Sequence, residues 1–384
     1  MKKSMFWLTV FGAVISDGAH AQSSVTLYGI IDVGLNYISN DNDKANWTLT
    51  SGVSRGSRWG FVGTEDLGGG LKAVFQLENG FSLTNGSLGQ GGLEFGRQAW
   101  VGLSSDVAGT IRLGRQYDSL FDFVSPLAGF VVYGGFAHPF DNDNLLGSVR
   151  INNSIKYLSA DYRGFKFGGL YGFSNSANTD TGAGFAYNRV WSVGAAYSHG
   201  PVSAGAGYLH MNSPGSNTIG AITAYPNLTE TSPLQSSGLA SAVVREDVWT
   251  AAATYKFSAL TTGILYSHSS FSSVANNLKF DNFEVNAGYR VTPFLQLAGV
   301  YSFTDGKLAS TAARPRYHQL LLTGDYSLSK RTDMYLTTMY QRAVGDATTA
   351  SIAPDTFGAG GSFAPDASTT QNQLLVRLGM LHKF

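Results

Sequence analysis

Cysteine is absent from the 384 residues, and proline is scarce, with 10 residues. Without thiols the chain cannot form disulfides, cysteine-based zinc sites or a thiol nucleophile. Charged residues make up only 14% of the sequence, well below the roughly 25% of soluble globular domains. Neither sign of charge is in excess, because 26 basic residues balance 26 acidic ones. A basic surface for nucleic acid is therefore not predicted.

The sequence also lacks a hydrophobic run suited to a membrane-spanning helix, which needs about 20 residues. The best candidate, Phe123 to Phe140, is uncharged but shorter, and it contains Pro126, Pro139 and three glycines. Proline removes a helical hydrogen bond and clashes with the preceding turn. No spanning helix is therefore predicted in this chain.

The N-terminus has the pattern of a secretory signal. Lys2 and Lys3 precede an apolar stretch from Met5 to Ile15, and Ala19-His20-Ala21 follows. A basic start, a short apolar segment and small residues around a cleavage site define such signals. We therefore predict an exported protein with a signal peptide at 1–21 and a mature domain at 22–384.

Glycine and aromatic residues are abundant, with 47 Gly, 24 Phe and 19 Tyr, and the apolar residues recur with period two. Phe283, Val285 and Ala287, for example, alternate with Glu284 and Asn286. Successive side chains of a strand point to opposite faces, so such segments have one apolar and one polar face. The predicted strands are 25–38, 55–64, 70–81, 95–105, 109–116, 150–160, 164–174, 187–199, 201–212, 246–257, 260–271, 279–290, 294–304, 315–327, 331–343 and 372–384.

The connections between these strands alternate in length. Short turns such as 105–108 and 161–163 separate long links at 117–149, 213–245 and 344–371. Short turns at one end and long loops at the other are typical of outer-membrane barrels. Backbone groups in hydrocarbon must all be paired, so the strands have to close. We predict an all-β protein, a 16-stranded antiparallel transmembrane β-barrel, which is wide enough to leave a water-filled channel.

Aromatic residues cluster beside the short turns. Their rings suit the headgroup level of a membrane, although strands are enriched in aromatic residues in any case. Both interpretations stay open for Tyr157, Phe165, Tyr197, Phe257, Tyr289, Phe294, Tyr326 and Phe384.

Strand parity predicts which charged side chains face the channel. The predicted basic wall consists of Arg58, Lys72, Arg97, Arg112, Arg150 and Arg377. The other predicted lumen residues include Asp32 and Glu78. The link 117–149 supplies Asp118, Asp122, Asp141 and Asp143. Basic side chains facing acidic ones across a constriction steer ions. Alternatively, the arginines are solvated lumen residues away from a constriction, and the aspartates are charges on the surface of the loop.

Several motifs resemble the general outer-membrane porins of Gram-negative bacteria, especially their β-proteobacterial branch. The similarity covers the whole mature chain. The motifs are Val25-Thr26-Leu27-Tyr28-Gly29, Ser57-Arg58-Trp59-Gly60-Phe61, Arg97-Gln98-Ala99-Trp100-Val101-Gly102-Leu103, Leu113-Gly114-Arg115-Gln116, Asn152-Asn153-Ser154-Ile155-Lys156-Tyr157 and Gly379-Met380-Leu381-His382-Lys383-Phe384.

This resemblance implies a homotrimer whose third long loop, about 117–149, folds inward and narrows the pore. It also implies that the acidic residues of this loop face an arginine-rich wall. Arg115 resembles an arginine of the intersubunit contacts, and Phe384 resembles the signal that the barrel-assembly machinery reads. The Pro-Glu-Phe-Gly-Gly stretch of many relatives is replaced here by Phe136 to Asn144, which puts the charge of the constriction in doubt.

The predicted function is a general diffusion porin for small hydrophilic solutes and ions, embedded in outer-membrane lipid and lipopolysaccharide. A substrate-specific channel is the alternative. No Gly-x-Ser-x-Gly elbow and no paired-histidine metal motif occurs, so no enzyme, metal or cofactor is predicted. The stretch Asp141 to Asn144 is similar to the start of a calcium loop, but Leu145 and Leu146 occupy positions that need an oxygen ligand and a glycine.

Overall fold

A computed structural model describes residues 24–177, 184–223, 243–274, 276–353 and 365–384. The predicted signal peptide at 1–21 lies outside these residues, and the long links 213–245 and 344–371 lie only partly within them. Over the described ranges, no helix combines the length and the apolar character that crossing a membrane requires.

Strands dominate the described chain, and each neighbouring pair is antiparallel. Their bounds are β1 (Ser24–Asp41), β2 (Lys44–Ser51), β3 (Arg58–Gly68), β4 (Leu71–Gly80), β5 (Gln98–Ser105), β6 (Gly109–Gln116), β7 (Ile151–Leu158), β8 (Phe165–Gly172), β9 (Arg189–His199), β10 (Val202–Asn212), β11 (Arg245–Phe257), β12 (Leu260–Ser272), β13 (Asn277–Arg290), β14 (Leu295–Leu308), β15 (Pro315–Ser327), β16 (Thr332–Gly345) and β17 (Asn372–Lys383). The sheet closes where β1 pairs with β17, from Ile30 opposite Lys383 to Ile38 opposite Leu375.

Two of these strands share one position in the barrel. The first half of β1 pairs with β3, and its second half pairs with β2. β2 and β3 are thus the two parts of one barrel strand, interrupted at 52–57, and the barrel has the predicted sixteen strands. The predicted second strand, 55–64, was wrong in its bounds because it omitted β2 and began inside the interruption. Gly52 starts this interruption with a φ of 82°, which favours glycine.

The wall has one apolar and one polar face. In β13, Phe283 and Val285 are 50% and 53% exposed, whereas Asn282 and Glu284 are at most 1% exposed. The apolar side chains therefore point outward and the polar ones inward, as strand alternation requires. Seven of the eight predicted girdle aromatics are exposed large hydrophobics, namely Phe165, Tyr197, Phe257, Tyr289, Phe294, Tyr326 and Phe384.

The segment 117–149 forms two short helices, α1 (Ser119–Phe123) and α2 (Gly129–Gly134), with 3₁₀ turns at Ser125–Leu127 and Pro139–Asp141. α1 contacts β9 and β10, and α2 contacts β13, β14 and β15. These contacts involve the inward-pointing side chains of the wall. Leu120, for example, is fully buried in a cluster with Val190 and Leu209. Burial of this apolar surface fixes the segment against the wall.

Gly135 ends α2 close to the interrupted barrel strand. Its φ of 68° is left-handed, and an added Cβ would lie 2.1 Å from the carbonyl oxygen of Val53. Both the backbone conformation and the close approach require glycine here. The end of α2 is thereby held beside the interruption at 52–57.

Candidate functional site

Three arginines lie together where β3, β5 and the interruption at 52–57 meet; we call Arg55, Arg58 and Arg97 the arginine cluster. Arg97 Nε lies 2.9 Å from Glu78 Oε1, and Arg58 Nε lies 3.6 Å from Glu78 Oε2. The Tyr28 hydroxyl donates to the same carboxylate at 2.8 Å. Two guanidinium groups therefore pair with one carboxylate, and with Arg55 the cluster contains three arginines to this one carboxylate.

Arg55 joins the arginine cluster to the segment 117–149. Its Nη1 donates to the carbonyl oxygen of Val131 at 2.7 Å, and its Nη2 donates to that of Val132 at 2.8 Å. Its backbone N–H donates to Asp32 Oδ2 at 2.8 Å. Asp32 thus positions the arginine, and the arginine holds α2. Sequence analysis missed Arg55 because the predicted strand 55–64 gave it the parity opposite to that of Arg58, whereas it lies in the interruption.

A pocket of about 240 Å³ lies between the arginine cluster and the segment 117–149; we call it the eyelet pocket. Its segment side is formed mainly by apolar side chains, among them Phe121, Pro126, Val131 and Val132. Arg58 is 20% exposed at its side chain. Across the pocket, the arginine cluster therefore faces a mainly apolar surface.

Sequence analysis predicted that the aspartates of the segment 117–149 face the arginines, but the structure places three of them elsewhere. Asp118, Asp141 and Asp143 are at most 1% exposed. Asp118 Oδ1 caps α1 by accepting from Leu120 N at 2.6 Å, and its Oδ2 accepts from Asn144 Nδ2 at 2.7 Å. A buried carboxylate must be hydrogen-bonded. These aspartates organise the segment from within instead of lining an opening.

The fourth predicted acidic residue, Asp122, forms an ion pair with Lys156. Lys156 Nζ also donates to the carbonyl oxygen of Tyr117 at 2.8 Å. The guanidinium of Arg150 lies 5.1 Å from the ring centroid of Tyr117, within the range of a cation–π contact. This second charged group on β6 and β7 again contains more cations than carboxylates.

The remaining predicted basic residues occupy different places. Arg112 lies over the ring of Trp100 at 4.3 Å, beside its register partner Lys156. Lys72 Nζ lies 3.0 Å from Asp106 Oδ1 in the short turn after β5, so it is at the short-turn end of the barrel and outside the arginine cluster.

Arg377 was predicted to line the pore, but it is fully buried, as is Asp32. Its Nη2 lies 3.1 Å from Asp32 Oδ1, and its Nε donates to the Tyr335 hydroxyl at 2.7 Å. Its Nη1 donates to the side chains of Asn36 and Thr50. Arg377 therefore links β16, β17, β1 and β2 at the closing seam, because β17 is the last strand and β1 the first.

His138 anchors the segment to the opposite wall and was not singled out by sequence analysis. Its Nδ1 lies 2.7 Å from Asp143 Oδ2, and its Nε2 lies 3.4 Å from Glu284 Oε2 on β13. Glu284 Oε1 also accepts from Gly129 N at 2.7 Å. Burial alone lowers the pKa of His138, but the neighbouring Asp143 and Glu284 outweigh burial and raise it to about 10. His138 is therefore a buried cation at neutral pH.

The stability of the docked segment depends on pH. Burial raises the pKa of Asp118 to about 6 and, together with Asp143, that of Asp141 to about 7. The docked segment retains these protons where a solvated aspartate, with a pKa near 4, has lost them. Its stability should therefore fall as the pH rises from about 4 to 7. The contribution of His138 acts in the same direction, being complete below about 6.5 and lost as the pH rises through 10.

Protection of the backbone amides of α1 and α2 against hydrogen exchange between pH 4 and 8, taken relative to the intrinsic exchange rate at each pH, would measure this dependence. Asp141→Asn, which is neutral at every pH, should flatten the profile, while an exposed control, Asp161→Asn in a short turn, should leave it as in the parent. Superimposable profiles of parent and Asp141→Asn would contradict the assignment.

Two further predicted residues lie at the outer side and at the chain end. Arg115 Nε donates to the carbonyl oxygen of Gly96 at 2.8 Å, and its guanidinium also bonds to Asn152. The last residue, Phe384, exchanges two backbone hydrogen bonds with Gly29. Across the described residues, no group of three or more His, Asp and Glu side chains has an arrangement suited to a metal ion.

The model of the Gram-negative porin family matches residues 8–346. The chain belongs to this family. It is 31% identical over 360 residues to an outer membrane porin protein of Bordetella pertussis, covering 87% of this chain and 93% of that protein. It is 30% identical to outer membrane porin protein 32 of Delftia acidovorans, with both chains covered completely.

Solved structures of outer-membrane proteins share the fold of this porin. The anion-selective porin from Comamonas acidovorans superposes with a TM-score of 0.73 at 25% identity, covering 94% of this chain and 100% of that one. The OmpT trimer form of Vibrio cholerae gives a TM-score of 0.66 at 15% identity, covering 94% and 99%. The chain is thus an outer-membrane β-barrel of the porin class, as the sequence predicts.

Proposed function

We propose that this porin is a general diffusion channel that favours anions and that the segment 117–149 narrows its opening. The arginine cluster is the observation that supports this proposal. Arg58 and Arg97 pair with Glu78, and Arg55 lies in the same pocket. Asp118, Asp141 and Asp143 are instead buried within the segment. A channel with this charge at its narrow part attracts anions and repels cations.

Two features of related proteins support the same proposal. The members of the family are porins, which are channels and not enzymes. The structurally similar protein from Comamonas acidovorans is an anion-selective porin. The measurement that tests the proposal is the reversal potential across planar bilayers in a potassium chloride gradient. A reversal potential of the sign for chloride is expected, and one of the sign for potassium would overturn the anion preference.

Arg97→Ala should shift the ion preference toward cations and enlarge the opening. Removing one unit charge about 6 Å from a passing ion changes its energy by about 0.7 kcal/mol even at the dielectric constant of water. The change has opposite sign for chloride and potassium, so the ratio of chloride to potassium permeability should fall about tenfold. Lys72→Ala, which removes a charge at the short-turn end, is the matched control with a smaller effect. Unchanged conductance together with an unchanged reversal potential in Arg97→Ala would exclude this role.

The outer side and the chain end of the barrel support proposals about its assembly. We propose a homotrimer in which Arg115, on the outward parity of β6, stabilises the second long loop, 81–97 between β4 and β5, against a neighbouring subunit. Its bond to the carbonyl oxygen of Gly96 supports this position. We also propose that Phe384, 45% exposed beside the last strand, is read by the barrel-assembly machinery, and that lipid and lipopolysaccharide surround the apolar outer face.

The substrate-specific channel remains the rival proposal. A specific channel saturates as the solute concentration rises, whereas general diffusion gives a flux that increases linearly. Flux of neutral sugars of increasing size into porin-containing vesicles separates the two, since a general channel sorts these solutes by size alone.

A further inference from the structure

The accessible edge of the segment 117–149 is apolar, although it lies beside the arginine cluster. Of the residues in this segment, only seven are not buried. They are Phe121, Asp122, Pro126, Leu127, Val131, Val132 and Tyr133. The single charged member, Asp122, is paired with Lys156. We call the other six the apolar edge.

The eyelet pocket brings the apolar edge and the arginine cluster together. Phe121, Pro126, Val131 and Val132 line the same pocket as Arg55, Arg58 and Arg97. A guanidinium presents several N–H groups in one plane, which matches the two oxygens of a carboxylate. Apolar surface beside it gains free energy when it is covered by an apolar group.

We propose that the eyelet pocket binds small carboxylates with an apolar body, that is alkyl and aryl carboxylates. The carboxylate contacts the arginine cluster, and the alkyl chain or ring contacts the apolar edge. This inference rests on the proposed anion-favouring function and adds the class of anion that the channel retains. A hydrophilic anion of equal charge uses only the arginines and therefore passes with a shorter residence.

The backbone supports this division of roles. Arg55 holds the carbonyl oxygens of Val131 and Val132, so the polar backbone atoms of this stretch are directed to the guanidinium. The side chains of Val131 and Val132 stay partly exposed. The pocket of about 240 Å³ is bounded by Gly135, whose backbone approaches Val53 too closely for any side chain.

Current block in planar bilayers tests the proposal with acetate, butyrate and hexanoate as probes, and with neutral hexanamide. The measured quantity is the concentration of each probe that halves the chloride current. Burying one methylene contributes about 0.8 kcal/mol, which is about fourfold in affinity. We therefore expect block to strengthen about twofold to fourfold with each methylene and hexanamide to block far less than hexanoate.

Val131→Thr/Val132→Thr keeps the shape of the apolar edge but replaces two methyl groups by hydroxyls. The ratio of hexanoate block to acetate block should fall about threefold to tenfold in this variant. Val285→Thr is the matched control, because Val285 lies on the outward face of β13, 53% exposed. It should keep the parental ratio.

Failure of the carboxylate site and failure of the proposed function give different experimental results. Equal block by acetate and hexanoate, or an unaltered ratio in the double variant, overturns the inference even where the reversal potential in potassium chloride shows anion preference. A reversal potential of the potassium sign overturns the proposed function itself and with it the carboxylate site.

Discussion

Arg377→Met should lower the free energy of unfolding of the barrel by about 3 to 5 kcal/mol, the cost of leaving a buried charge without its partner. Arg377 and Asp32 are both fully buried, with Nη2 and Oδ1 3.1 Å apart. Methionine fills much of the volume of the arginine but donates no hydrogen bond. The carboxylate of Asp32 would keep the bond from Tyr335 and lose its only neighbouring cation among the ion pairs of the described residues.

Replacing Arg377 removes more stability than the loss of one ion pair, because Arg377 lies where the first and last strands meet. Arg377 also donates to the carbonyl oxygens of Gly34 and Thr50, so it joins the last strand to the first and to β2. Asp32 Oδ2 accepts from the N–H groups of Ser54 and Arg55. The variant should therefore loosen the closing seam and the interruption at 52–57 together.

Urea unfolding of the folded barrel in detergent, followed by tryptophan fluorescence, measures the effect. Arg377→Met/Asp32→Asn removes both charges and should regain part of the stability. Arg316→Met disrupts an exposed pair with Asp305 and should change stability by less than about 1 kcal/mol. Equal losses in Arg377→Met and Arg316→Met would refute the role assigned to the seam.

The barrel could be predicted from sequence because strand alternation is a local signal. In β13, the predicted alternation of Phe283 and Val285 with Glu284 matches the observed alternation of exposed and buried side chains. β2 carries the same signal, since Trp47 and Leu49, 66% and 61% exposed, alternate with Thr48 and Thr50. Its omission came from the interruption, which breaks one barrel strand into two and hides their common position.

The site was less predictable because its contacts join distant residues. Parity shows that a side chain points inward, but not whether water or another segment covers it. The bond between Gly129 and Glu284 spans 155 residues, and that between Arg377 and Asp32 spans 345. The sequence predicts Asp118, Asp141 and Asp143 as acidic residues of the constriction, with loop-surface charges as the alternative. They are buried instead because the segment that carries them packs against β9, β10 and β13.

His138→Leu should release the segment 117–149 from the wall and raise the single-channel conductance. His138 is the buried cation next to Asp143, and both are at most 3% exposed. Burial alone raises the pKa of Asp143, but His138 and its other donors outweigh burial and lower it below the usual range, so the carboxylate is charged in the docked state. Leucine leaves this charge without a cation, at a cost of about 3 to 5 kcal/mol.

Undocking of the segment costs less free energy than unfolding of the barrel, because it returns Asp143 to water without opening any strand pair. The cost should therefore appear as movement of the segment and not as unfolding of the wall. His138→Gln/Asp143→Asn, a neutral pair that can still hydrogen-bond, is the matched control and should keep the parental conductance. Hydrogen exchange of the backbone amides of α1 and α2 should quicken in His138→Leu, while those of β13 stay protected. Parental conductance and parental protection of α1 and α2 in that variant would show that apolar packing alone holds the segment in place.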